Sequence, residues 1–438
     1  MRLGVIADDL TGANDTGVQF ARQGARTLVP LDWHDLPSLV RAADVLVLST
    51  NSRAVSPRVA AQRARVAAEA LRCAGVDAIY KKLDSTFRGN IGPELDAILD
   101  VFPSSLTVLT PAFPPAGRAV RDGLLLVRGV PVHRTAAGRD PVTPVRESHL
   151  PTLLGRQMRR PVYALGLAAL RGKTAVLGRT IQEWRAVPGV VLADAVTGND
   201  LQRLTRLITR EGLFGVAAGA AGLAATLSAV LSWPRKPRAQ RRTGKGPVLL
   251  VVGSPNPISV DQVAWIEERS QAAVVRAEVP EVVADSARYR KELQRVADEA
   301  QTAMAAGSHT VLTLAQRPGR GGGLRPSASK TLSEFLGHAS RLVCRKVRPG
   351  GVLFCGGDIT LAACSAFGAQ GLELAGEIEP GVPWGRLVGG EFGDLATATK
   401  AGGFGKRDAF ARVIRFFHPG RQRRRAGAPG KPGGKDGA

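Results

Sequence analysis

No apolar stretch in the 438 residues approaches the roughly 20 needed to span a bilayer. The N-terminus runs from Leu3–Ala7 straight into Asp8 and Asp9. A secretory leader needs a longer apolar segment and a small-residue cleavage site. These absences predict a cytoplasmic protein with no membrane partner. Cysteine is scarce too: Cys73, Cys344, Cys355 and Cys364, with no C-x-x-C pair. That excludes a disulfide framework and a zinc site, and leaves four small buried hydrophobes. There is no G-x-x-x-x-G-K-[ST] loop. Thr243-Gly244-Lys245-Gly246 lacks the upstream glycine and the hydroxyl residue after lysine. No G-x-G-x-x-G follows a strand pattern, and no internal repeat is present.

What is abundant is positive charge, +23 net. Its placement argues against a specific nucleic-acid role. Arg235, Lys236, Arg238, Arg241, Arg242 and Lys245 crowd one stretch, and residues 419–438 carry a net +5, so 11 of the 23 charges sit in two Pro/Gly/Arg-rich segments. Neither segment has apolar periodicity or interleaved aromatics. They read as a solvated linker and a disordered tail.

Elsewhere short apolar runs alternate with amphipathic stretches. Strands are predicted at 3–7, 26–31, 45–49, 78–81, 106–110, 248–252, 273–277, 310–314 and 351–354, among others. Helical spacing covers 56–73 and 93–101. This alternation predicts an α/β protein with largely parallel sheets flanked by helices. The break near Trp233 divides it into a domain over 1–233, a basic linker over 234–246, a second domain over 247–417 and a tail over 418–438. The site is expected in the cleft between domains, with the domains closing over it. A Gly/Pro-rich stretch at 317–329 reads as a surface loop or a flap.

Polar residues crowd the ends of the predicted strands, where open parallel sheets bind ligands. Asp8-Asp9-Leu10-Thr11-Gly12-Ala13-Asn14-Asp15 follows the first strand. It reads either as a helix cap by Asp9 or Thr11, or as an anion-facing turn. Thr50-Asn51-Ser52-Arg53 follows another strand. Lys81-Lys82-Leu83-Asp84-Ser85-Thr86-Phe87-Arg88-Gly89-Asn90 follows a third. Lys82, Ser85, Thr86, Arg88 and Asn90 are anion-binding donors and Asp84 is an acceptor or base. That mixture suits a small polyhydroxylated anion, which arginine can hold in a bidentate fork. Two further loops follow apolar runs: Gly253-Ser254-Pro255-Asn256 and Gly356-Gly357-Asp358-Ile359. Paired glycines let backbone amides approach phosphate, and Asp358 is placed to hold magnesium, directly or through water.

With these motifs the chain resembles the four-carbon acid sugar kinase family over about residues 1–416. The resemblance rests on Asp8–Ala13 and Lys82–Gly89. Pro111-Ala112-Phe113-Pro114 with Gly117-Arg118, Gly129–Val132, Arg139-Asp140-Pro141 and Glu147-Ser148-His149 strengthen it. It implies ATP and Mg2+ as cofactors and a sugar acid such as threonate, erythronate or a 3-oxo-tetronate as substrate. It implies substrate contacts from Asp8, Asp9, Thr11, Gly12, Arg53, Lys82, Asp84, Ser85, Thr86, Arg88 and Gly89, with His133 and His149 as lesser candidates. Nucleotide contacts are implied at Ser254, Gly356, Gly357, Asp358, Ile359 and Gly402. Lys82 is expected to neutralise charge on the transferring phosphoryl group, and Asp9 or Asp84 to serve as base. The pattern departs from the family's at Ala401 and Gly403, where Ser and Asn are usual, and at Ala220 and Ile359. These changes remove side-chain donors and leave backbone ones. An alternative reading is therefore a sugar-acid-binding protein that has lost catalysis. The assembly state is left open, a homodimer among the alternatives.

Overall fold

In the computed structural model, residues 2–33, 43–233, 246–278, 285–315 and 326–419 are described. The basic stretch at 235–245, most of the loop at 317–329 and the tail from 420 lie outside the described residues. Among those described, no helix is long and apolar enough to cross a membrane.

The first half of the chain supplies β1 (Leu3–Ala7), β2 (Thr27–Pro30), β3 (Val45–Ser49), β4 (Ala78–Lys82), β5 (Leu106–Thr110), β6 (Arg118–Arg121), β7 (Leu124–Val127), β8 (Val130–Pro131), β9 (Val162–Leu165), β10 (Gly189–Ala193) and β11 (Val216–Gly219). The second supplies β12 (Val248–Val252), β13 (Ala273–Ala277), β14 (Thr310–Leu314), β15 (Gly351–Cys355), β16 (Gly371–Glu379), β17 (Val382–Val388) and β18 (Ala396–Lys400). Helices between strands cover both faces, so the central strands are buried at every position. All five residues of β1, β5, β12 and β15 are buried.

Two parallel arrays result. In the first, β1 lies between β3 and β4, and β4 continues through β11, β5 and β10 to β9. In the second, β12 lies between β14 and β15, and β15 pairs with β18. The order reverses beside β1 and beside β12. Those are the switch points at which an α/β sheet opens a crevice beyond its carboxyl edge.

The arrays also join into one 15-stranded sheet, a feature absent from the sequence-based expectation. β16 and β17 form an antiparallel pair, with β17 on β18 and β16 on β2. The helix Leu10–Arg22 packs against this junction. Asn14 donates to Thr399 Oγ1 at 3.0 Å, and Arg22 and Arg26 reach Glu377 and Glu373 at 3.1 and 3.2 Å. β6, β7 and β8 form a separate three-stranded meander beside the first array.

Candidate active site

Three loops from the first array meet at its carboxyl edge. The turn after β1 brings Asp8 and Asp9, the turn after β3 brings Arg53, and the turn after β4 brings Asp84 and Arg88. Asp9 caps the helix Leu10–Arg22 by accepting the Gly12 amide at 2.8 Å. Its other oxygen accepts from Arg53 at 2.8 Å. Arg53 also forks onto Asp8, Nε to Oδ2 at 2.7 Å and Nη2 to Oδ1 at 2.8 Å. Burial pushes the Asp8 carboxyl up, but Arg53, aided by Lys81 and Lys82, outweighs it and holds Asp8 below the usual carboxylate range. Beneath this cluster lies a buried ion pair, Lys81 to Glu94 at 2.5 Å, and Ser52 donates to the same carboxylate at 2.9 Å.

Asp84 is equally committed. Arg88 forks onto it at 2.9 and 3.1 Å, and the Thr86 hydroxyl donates to it as well. Burial raises the Asp84 carboxyl, yet Arg53, Arg88 and these hydrogen bonds hold it well below the carboxylate range. A third Arg88 donor reaches Asp140 at 2.9 Å, so Asp140 pairs with Arg88 rather than with its neighbour Arg139. A guanidinium carries five N–H donors. Arg53 and Arg88 each spend three on protein carboxylates and keep two for a ligand.

Lys82 differs from both arginines. It is 5% exposed, and a Cβ on Gly12 would stand 2.8 Å from its Nζ. It holds no hydrogen bond or ion pair among the described residues, which makes it the uncommitted cation here. The surrounding cavity is lined by Asp9, Thr11, Gly12, Arg53, Lys82, Asp84, Ser85 and Arg88. Asp15, Phe113, Ala220 and Ala221 complete the wall on this side, and Gly381, Ala401 and Phe404 supply the wall from the second half. Asp15 escaped the sequence reading as a site residue. It lies three and four residues beyond Gly12 and Thr11, on the same helical face, and that spacing is the signal that finds it.

A second cavity shares Asp9 and Thr11 with the first and reaches Trp33, Asn51, Gly357, Asp358 and Leu361. A Cβ on Gly357 would stand 3.1 Å from Thr11 Oγ1. Two helix N-termini, Leu10–Arg22 and Gly357–Ala366, thus face each other, and both favour anions. Asp358 is exposed in the first turn of the latter helix. Among the described residues no three His, Cys, Asp or Glu side chains cluster to hold a metal. A single exposed carboxylate fits magnesium, which keeps waters and phosphate oxygens as its other ligands. The side chain of Ile359 is 3% exposed and packs at Gly253, so only its backbone is available to a ligand.

Ser254, Gly356, Ile359 and Gly402 line neither cavity. Ser254 and Gly402 instead abut each other. The loop carrying Gly402 is pinned from below by Lys400, whose Nζ donates to the carbonyls of Ala401 and Phe404, both at 2.9 Å. Ser259 donates to the Gly402 carbonyl at 2.8 Å, and Gln262 to that of Phe404 at 3.1 Å. Burial lowers the Lys400 pKa. A Cβ at Gly402 would lie 1.9 Å from Ser254 Oγ. Gly402→Ala is therefore expected to push Ser254 aside and loosen this loop, which a lower melting temperature than wild type would show. His133 bonds Ser148 and His149 bonds Thr152, each at 2.7 Å, and neither lines either of these two cavities.

A family model described as a sugar-binding N-terminal domain matches residues 3–227, and one described as a nucleotide-binding C-terminal domain matches 249–410. The chain is 36% identical to a D-threonate kinase of Salmonella typhimurium, over 95% of this chain and 98% of that one. It is 34% identical to a D-erythronate kinase of Heliobacterium modesticaldum, over 94% and 96%. A solved Haemophilus influenzae structure has the same fold, with a TM-score of 0.74 at 24% identity over 94% of this chain and all of that one. The chain belongs to the four-carbon acid sugar kinase family.

Proposed function

We propose that this protein transfers the γ-phosphoryl group of ATP to the terminal hydroxyl of a four-carbon sugar acid. The observation that carries the proposal is one cavity in which an unpaired lysine and two partly spent arginines meet loops of both halves. The substrate carboxylate binds the remaining Arg53 and Arg88 donors, and Ser85 and Thr11 meet its hydroxyls. Asp8, Asp9, Asp84 and Asp140 hold the two guanidinium planes in place before substrate arrives. Ordering those planes in advance is the main task in a reaction that asks little covalent work of the protein.

The triphosphate lies along the facing helix starts at Thr11 and Gly357. Asp358 would hold magnesium, which would supply charge neutralisation for the phosphates. Lys82 sits where the acid and phosphate regions meet, and offsets the charge that develops on the transferring group.

ADP release from ATP and magnesium across a panel of four-carbon sugar acids tests this reading. Turnover with at least one threonate, erythronate or 3-oxo-tetronate, and none with neutral tetroses, is the expected result. No turnover with any acid, while ATP still binds, would contradict it and favour a sugar-acid-binding protein without catalysis.

A further inference from the structure

The proposed transfer needs a base for the acceptor hydroxyl, and the cavity holds three carboxylates. Asp9 has one oxygen on the Gly12 amide and the other on Arg53. Asp84 has both oxygens on Arg88 and a further donor from Thr86. Asp9 is thus tied to the helix start and to Arg53, and Asp84, held well below the carboxylate range by Arg53 and Arg88, is a poor proton acceptor at neutral pH. Asp15 is the remaining one. Its residue borders the cavity, yet its Oδ1 is buried with no hydrogen-bond partner. A polar atom left unsatisfied in a folded protein calls for a reason, and catalysis is a frequent one.

We infer that Asp15 is the base of this site, taking the proton of the sugar acid's acceptor hydroxyl as that oxygen attacks the γ-phosphorus. The inference rests on the function proposed above. The O–H bond breaks, its proton passes to the Asp15 carboxylate, and its electron pair forms the new O–P bond. The bond from the γ-phosphorus to the β,γ-bridging oxygen breaks, and its electron pair leaves on ADP. The proton on Asp15 then returns to solvent.

The surroundings suit the task. Burial raises the Asp15 pKa to about 6, Lys82 opposes the rise, and Glu377 and Asp9 add to it. Lys82 and Tyr80 face it from β4, Glu377 from β16 and Asp9 from the turn before its own helix. A carboxylate poised near 6 is ionised at neutral pH and still holds a proton once it has taken one.

Asp15→Asn in the full chain is the test, with pH–rate profiles for both proteins. Expected is a fall in kcat of about 10²–10⁴-fold with little change in either KM. The wild type shows an acid limb in kcat/KM near pH 6 that the variant lacks. A raised carboxylate pKa favours the folded state only at low pH, and that contribution fades as pH rises through 6. The asparagine variant therefore melts no lower than wild type at pH 8, so lost turnover is not lost fold. Asp15→Glu keeps an acid limb and retains more turnover than the asparagine form. An active wild type with an equally active Asp15→Asn, or a loss confined to KM, overturns the role of Asp15 alone. A wild type silent on every sugar acid overturns the proposed function and this role with it.

Discussion

Lys82→Met is expected to lower kcat by about 10²–10³-fold while the protein stays folded. The reason lies in how the other cations are used. Arg53 and Arg88 are tied to Asp8, Asp9, Asp84 and Asp140, so their charge is largely balanced before a ligand arrives. Lys82 has no such partner, and its charge is the one left for phosphate. The methionine side chain fills a similar volume, so packing around Gly12 is retained. Lys82 also opposes the upward pull of burial on Asp15. Removing it raises the Asp15 pKa further, and the residual activity should need a higher pH than the wild type. Steady-state rates between pH 5 and 9 read both effects. A variant with near-normal kcat and an unmoved profile would remove Lys82 from the chemistry.

Arg53→Met should unfold far more readily, at a cost of about 3–5 kcal/mol. The Arg53 side chain is 18% exposed and bridges Asp8, at 6%, to Asp9. Its loss leaves two partly desolvated carboxylates without their counter-charge. The pH dependence follows from the depressed Asp8 pKa. A carboxyl held low in the fold contributes stability above its unfolded pKa of 3.8, and that stability is lost as pH falls through the folded value. In Arg53→Met this contribution disappears. The gap between wild type and variant is therefore full from neutral pH down to about 4 and closes only as pH falls below 3.8. Urea titrations at pH 7 and at about pH 3 measure it. A difference below about 1 kcal/mol at pH 7 would show that the aspartates find other partners.

Much of this site was legible because its residues follow strand ends, and strand ends in parallel sheets converge. Asp8, Asp9, Arg53, Lys82, Asp84 and Arg88 are scattered over 80 residues yet reach one place, since β1, β3 and β4 are neighbours. Their pairing was not legible. Nothing local says that Arg53 turns to Asp8 across 45 positions, or Arg88 to Asp140 across 52. So two arginines expected to clamp substrate with free forks have most of their donors on protein. Lys400 shows the same limit. The sequence marks it as part of a glycine-rich segment, and only the fold reveals that it holds the loop from beneath. The join between the two arrays was more accessible. β16 alternates Leu372 and Leu374 inward with Glu373 outward, a period-two pattern that marks a strand. Its glycines and the adjoining Pro-Gly-Val-Pro run interrupt that pattern, and no strand is predicted there.

The most direct measurement is mass spectrometry of the products when the protein meets ATP, magnesium and a single four-carbon sugar acid. A phosphorylated acid formed in step with ADP is expected, in amounts that fall with Lys82→Met. ADP accompanied by inorganic phosphate, with the acid left unmodified, would contradict it.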